Sequence, residues 1–227
     1  MSQENTTDVL SLGFNDVDRL FADDGFPYGS VGLVKSDKVA ETFSIFLSLI
    51  EANAADVSYF TNQKSRWYIV EELSKRGVQE NDVKQIKEMH DCNSCDKLVE
   101  KIQEQNIGKQ ELVIIDSVED FESNNDIDFD EMLRELKRFG YENNTTILVH
   151  YMMDDVIDGH IEHSSMEYIA DFSMSISTEL ASHGVVKTWW FEKTPRGVRF
   201  IDEAENNQSY RIEEKTGLIS INTGGAI

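Results

Sequence analysis

Apolar residues along this chain fall into two rhythms, short unbroken runs and a recurrence every three to four positions. The runs Val31–Val34, Val57–Thr61, Leu112–Ile115 and Ile147–Val149 are continuous rather than alternating, which marks strands covered on both faces. Between them the spacing is helical. Val39–Glu51 carries Phe43, Phe46, Leu47 and Ile50 on one face. The stretch from Ser65 to Arg76 carries Trp67, Val70 and Leu73, with Gly77 placed as a C-cap. Further helices are expected at Asn15–Phe21, at about Cys95–Gln105, and at Phe129–Phe139, where Met132, Leu133 and Leu136 align and Gly140 closes the helix. Ile169–Ile176 and Val185–Glu192 read as strands. Val198–Ile201, Tyr210–Glu213 and Leu218–Ile221 form a β-rich end, with turn signals at Pro195-Arg196-Gly197 and Thr216-Gly217. Strand–helix alternation followed by hairpins implies a three-layer α/β domain with a mostly parallel central sheet. The length favours one domain over residues 1–227, with residues 1–10 read as a flexible lead.

Charge narrows the function classes. Asp and Glu number 43 against 21 Lys and Arg, a net charge of −22. The acidic residues are spread over the chain, which favours a solvated surface suited to a salt-rich cytosol. The alternative is an acidic mimic of nucleic acid for a basic partner. Direct binding to nucleic acid or an anionic membrane is excluded on this reading, because such affinity comes from Lys and Arg neutralising phosphates. No apolar run approaches the length of a membrane span. The opening residues lack the basic and apolar regions of a signal peptide, and only two cysteines occur, so a reducing cytoplasm is expected.

The segment from Asp24 to Leu49 has the frame of a phosphate-binding P-loop, a strand, a connector and an apolar helix. A working loop reads G-x-x-x-x-G-K-[ST], because glycine N–H groups must close on the phosphates while a lysine and a hydroxyl reach them and Mg²⁺. In this frame the first glycine is Ser36, the second Glu41, the lysine Thr42 and the hydroxyl Phe43. All these positions are unsuited to phosphate. Ser36 or Asp37 can instead cap the helix, with Glu41 in its first turn at the positive end of the dipole. Lys35 and Lys38 flank the loop.

Four ordered stretches resemble the RecA-like ATPases of the archaeal RadA/KaiC type, over nearly the whole chain. Gly13-Phe14-Asn15-Asp16-Val17-Asp18-Arg19-Leu20-Phe21 resembles that family's G-I-x-x-L-D-x-L-L. Gly25-Phe26-Pro27-Tyr28-Gly29-Ser30-Val31 resembles its G-I-P-x-G-S-V. Leu112-Val113-Ile114-Ile115-Asp116-Ser117 resembles its Walker B strand. Tyr168-Ile169-Ala170-Asp171 and Phe191-Glu192-Lys193-Thr194-Pro195-Arg196-Gly197 resemble its late Y-x-A-D and K-x-R-G stretches. The resemblance implies a RecA-like fold. It also implies that Asp116 stands where a Mg²⁺-holding aspartate would, and that His150 stands at a polar sensor position. Where the family's T-E-E places the glutamate that orients the attacking water, this chain has Thr61-Asn62-Gln63, and an amide is no general base.

The expected protein is therefore a degenerate, non-catalytic member. Its vestigial nucleotide site comprises Ser36, Lys38, Glu41, Thr42, Phe43, Asn62, Gln63 and Asp116. No cofactor or metal is expected, and Asp116 is read as a strand-end residue kept for hydrogen bonding. The function would be protein–protein interaction or regulation, in a homo-oligomer or with a RecA-like paralogue. The alternative is a divergent ATPase that binds ATP and Mg²⁺ with Lys35 or Lys38 in place of the missing lysine. Other constellations are weaker. Cys92-Asn93-Ser94-Cys95, near His90, lacks the second pair that a zinc site needs. His160 and His163 lie in a stretch with Asp154, Asp155, Asp158 and Glu162 and no Lys or Arg, which argues against a DNA-binding recombinase loop. No sequence pattern of a Ser-His-Asp hydrolase appears. Trp189 and Trp190 are adjacent on a strand and so face opposite sides.

Overall fold

The computed structural model describes residues 9–11, 26–36, 39–89, 92, 94–116, 118, 127–152, 164–181, 184–193, 207–212 and 219–222. The segments expected as the helix Asn15–Phe21 and the strand Val198–Ile201 lie outside these residues, as do Lys38, His90, His160, His163 and the turns near Pro195 and Gly217.

Among the described residues nine strands form the main sheet, which separates two layers of helices. Its parallel part contains β3 (Val31–Ser36), β4 (Val57–Thr61), β5 (Gln85–Glu88), β6 (Leu112–Asp116), β7 (Thr146–Met152) and β8 (Phe172–Ala181). The spatial order is β8-β3-β7-β6-β4-β5. Beyond β8 the sheet continues antiparallel through β9 (Gly184–Lys193), β10 (Asn207–Ile212) and β11 (Ile219–Asn222). A small antiparallel pair, β1 (Val9–Leu10) with β2 (Phe26–Pro27), lies apart from it. Leu10, within the stretch expected to be a flexible lead, is a buried core residue.

The continuous apolar runs are strands because both faces are covered. Successive side chains alternate between two cores. Val31 and Leu33 face one with Val113, Ile115, Ile147 and Val149, and Val34 faces the other with Ile114, Leu148 and Tyr59. The first core is lined by α3 (Cys95–Gln103) and α4 (Ile127–Asn143), the second by α1 (Val39–Asn53) and α2 (Arg66–Lys75). Helix α1 is buried more completely than a single apolar face predicts, since Ile45 and Leu49 are enclosed with Phe43, Phe46, Leu47 and Ile50. Gly32 permits the close approach of β8, because a Cβ there would lie 2.0 Å from the Phe172 ring.

Several expectations need correction. Helix α2 buries Ile69 and Leu73, while Trp67 is 72% exposed, so the inward stripe begins two residues later than expected. Ser65 caps this helix by accepting from Tyr68 N, and Gly77 follows it with φ 86°, the left-handed position expected of it. Helix α4 runs through Gly140 to Asn143 and reverses at Asn144, φ 51°. Gly140 is small for a different reason than termination. A Cβ there would lie 2.8 Å from Thr145 O, in the turn where Thr145 N bonds Gly140 O. Ile169 ends a short helix, α5 (Ser164–Ile169), rather than starting a strand. Strand β5 was not expected, because Gln85, Lys87 and Glu88 leave Ile86 as its one buried residue at the sheet edge.

Candidate functional site

The C-terminal ends of β3, β4, β6 and β7 form one edge of the sheet, where ligands bind in open parallel α/β folds. Alternation places Ser36, Tyr59, Asp116 and His150 on the face covered by α1 and α2. They continue the rows Val34–Ser36, Val57–Tyr59, Ile114–Asp116 and Leu148–His150. The parallel register sets Thr61 opposite Asp116 and Val34 opposite His150. Backbone pairing thus fixes where these side chains stand.

Asp116 is the centre of the cluster and is fully buried. His150 Nδ1 donates to its Oδ1 at 3.0 Å, and Lys64 Nζ donates to Oδ2 at 2.7 Å. The Tyr59 hydroxyl also donates to Oδ2. Burial pushes the Asp116 carboxyl up, but the His150 hydrogen bond and the Lys64 ammonium outweigh it and hold the carboxyl below the usual aspartate value. Burial chiefly, and then the Asp116 charge and hydrogen bond, push the Tyr59 phenol well above its ordinary value. The phenol is thus a lasting donor. Because an ionised carboxylate only accepts, the Nδ1 of His150 carries the proton. In the neutral ring Nε2 then faces the Ser36 hydroxyl, 2.9 Å away. The Phe46 ring meets His150 edge-on, with centroids 5.6 Å apart at 74°.

Lys64 reaches this cluster through the turn after β4. Thr61 Oγ1 accepts from Gln63 N at 3.3 Å and from Lys64 N at 3.1 Å, which reverses the chain over the strand ends. The ammonium then stands 4.9 Å from the Phe43 ring centroid, a cation–π contact. Phe43 in turn stacks on Tyr68 of α2, centroids 5.5 Å apart. The Phe43 ring therefore supports Lys64 against Asp116.

Of the expected site residues, Ser36, Phe43 and Asp116 meet in this cluster, joined by His150 and Lys64. Thr42 is buried on α1. Asn62 is half-buried and Gln63 exposed in the turn that carries Lys64. The side chain of Glu41, and all of Lys38, lie outside the described residues. Lys35 shares its strand face with Leu33, opposite to that of Ser36. Ser36, expected as a cap, has its hydroxyl on His150. Sequence reasoning missed Lys64 and Tyr59. The available signal for Lys64 was a cation three residues past the end of a buried strand.

The late motifs have structural partners. Asp171 accepts from Val31 N at 3.0 Å and pairs with Lys137 at 2.6 Å, joining β3 to α4. Lys193 donates to Tyr168 O and Ala170 O, so the two late stretches meet. Cys92 and Cys95 are buried beside the start of α3 and form no disulfide. Trp189 and Trp190 pair with Ile176 and Ser175 across β8, and their side chains lie outside those described. Among the described residues no group of three or more His, Cys, Asp or Glu could hold a metal, and no helix is long and apolar enough to cross a membrane.

Comparison with solved structures supports the RecA/KaiC-like fold. The chain resembles a KaiC-like protein of the hyperthermophilic archaeon Pyrococcus horikoshii OT3 with a TM-score of 0.69 at 14% identity, over 94% of this chain and 98% of that one. No curated protein matches by sequence. Residues 9–204 match a family described as a family of unknown function (DUF7125), and the chain belongs to that family.

Proposed function

We propose that this protein is a non-catalytic RecA/KaiC-like protein with respect to nucleotide, a pseudo-ATPase that acts by binding another protein or by regulation. The observation that carries the reading is the Lys64 ammonium, 2.7 Å from Asp116 Oδ2 and over the Phe43 ring. In an active relative, the resembling aspartate would face Mg²⁺ and the hydroxyl at the Phe43 position would be its co-ligand. Here an internal cation neutralises the carboxylate and an aromatic ring replaces the hydroxyl. The amides at Asn62 and Gln63 remove the general base from the neighbouring turn. A divergent ATPase using Lys35 fits less well, because that residue lies on the other face of β3. The partner would be a protein, a second copy or a RecA-like paralogue, with the net charge of −22 disfavouring nucleic acid.

Titration calorimetry with Mg-ATP at high KCl tests the reading. The expected result is no heat of binding at millimolar nucleotide. Micromolar affinity would overturn it.

A further inference from the structure

The cluster contains a relationship that nucleotide chemistry does not use. Ser36 Oγ lies 2.9 Å from His150 Nε2, and His150 Nδ1 lies 3.0 Å from Asp116 Oδ1. A serine, an imidazole and a carboxylate joined in this order form the relay that turns a hydroxyl into a nucleophile. The three come from the adjacent strands β3, β7 and β6, so the ladder holds them in place. Ser36 ends β3, and α1 begins at Val39. A nucleophilic serine at a strand-to-helix turn, followed in the chain by its aspartate and then its histidine, is the arrangement of the α/β-hydrolase elbow. The glycines of that elbow, two residues to either side of the serine, are absent here, where the residues are Val34 and Lys38. Tyr59 and Lys64 occupy Oδ2 of Asp116 and leave Oδ1 to the imidazole.

We propose that Ser36 is an activated nucleophile toward small carboxylic esters or thioesters, with His150 as its general base and Asp116 as the residue that positions the imidazole. Ser36 Oγ attacks the carbonyl carbon as its proton passes to His150 Nε2. The bond to the alcohol or thiol breaks, and the leaving group takes that proton. The acyl group then rests on Ser36. Water, deprotonated by the same nitrogen, attacks the ester, releases the carboxylic acid and restores the serine. Ser36, His150 and Asp116 are each 0% exposed, so acylation proceeds through local opening of this edge and small acyl groups are the substrate class.

The full chain, treated with a small fluorophosphonate, tests this by intact mass and peptide mapping. One adduct is expected, on Ser36, and none in Ser36→Ala, which removes only the hydroxyl oxygen. Labelling of His150→Gln should slow by about 100-fold or more, the range for losing a general base. A second measurement does not depend on that variant folding. The thiol introduced by Ser36→Cys should react with iodoacetamide faster than the buried Cys92 and Cys95 of the same chain. No adduct on Ser36, labelling undiminished in natively folded His150→Gln, or alkylation no faster than at Cys92 and Cys95 would each overturn the proposal and leave a structural hydrogen-bond chain.

Discussion

Strand β6 has a buried carboxylate and a lysine partner at each end, and the two pairs are built differently. At its N-terminal end, Glu111 pairs with Lys84, and Gly108 N donates to the same carboxylate oxygen, Oε1. The other oxygen, Oε2, is buried with no hydrogen-bond partner among the described residues. At the C-terminal end, Asp116 takes donors on both oxygens from His150, Lys64 and Tyr59, and the histidine is itself bonded to Ser36. Both carboxylates are buried and each has a lysine beside it. They differ in satisfaction, because one is a pair with a bare oxygen and the other a connected network. They differ also in place, since only the second lies at the sheet edge where parallel α/β folds bind ligands.

The largest separation between the ends should appear on removing each lysine's charge while keeping its stem. Lys64→Met should cost about 3 kcal/mol, because it leaves a buried, ionised aspartate short of its cation. The Lys64 side chain is 12% exposed against 26% for Lys84, so the second pair sits nearer water. Lys84→Met should cost less, about 2 kcal/mol, because that lysine lies nearer water although Glu111 stays buried. Urea unfolding of both variants gives the comparison directly. Equal costs would mean that the Asp116 network is no tighter than the pair below it.

The acid limb of stability sharpens the same contrast. Asp116 has a folded-state value below the ordinary 3.8. A depressed carboxyl contributes stability that is complete above its unfolded value and is lost as pH falls through the folded one. Asp116→Asn should therefore destabilise by about 2 kcal/mol at neutral pH, less than Lys64→Met because a freed Lys64 can turn to solvent. The deficit should shrink as pH falls below about 4, where the unfolded chain takes up a proton that folded Asp116 accepts only at lower pH. A constant difference between the two proteins from pH 7 to pH 3 would show that Asp116 stabilises by shape rather than charge.

The parallel frame was legible in the sequence because burial on both faces leaves unbroken apolar runs, and Val57–Thr61 begins and ends as expected. Elements with little burial were not. Strand β5 buries one residue, and the Trp67 face of α2 was misassigned because a large aromatic suggests a core that Ile69 in fact enters. Of the site, Ser36, Phe43 and Asp116 were legible because each lies in a recognisable strand or strand–connector–helix frame, and Lys64 was not. It meets Asp116, 52 positions away, only because Thr61 Oγ1 turns the chain after β4. The Ser36–His150–Asp116 order likewise requires the strand order β3-β7-β6, since separations of 114 and 34 residues carry no local signal.

The smallest effect belongs to Tyr59, and it probes the network from the opposite pH limb. Tyr59→Phe removes one donor from Asp116 and leaves the ring in the core, where it meets Phe46 at 6.3 Å between centroids. The cost at neutral pH should be about 1.5 kcal/mol, that of one hydrogen bond to a charged group whose other donors remain. Burial raises the folded-state phenol value well above 10.0, with the Asp116 charge adding to it. A raised value gives stability that is complete below the unfolded value and lost as pH climbs through the folded one. The wild-type protein should therefore lose stability more steeply than Tyr59→Phe above about pH 10. Parallel alkaline limbs would mean that the phenol reaches water in the folded protein. Asp116 would then rest on His150 and Lys64 alone, and the two ends of β6 would differ by fewer contacts than the structure indicates.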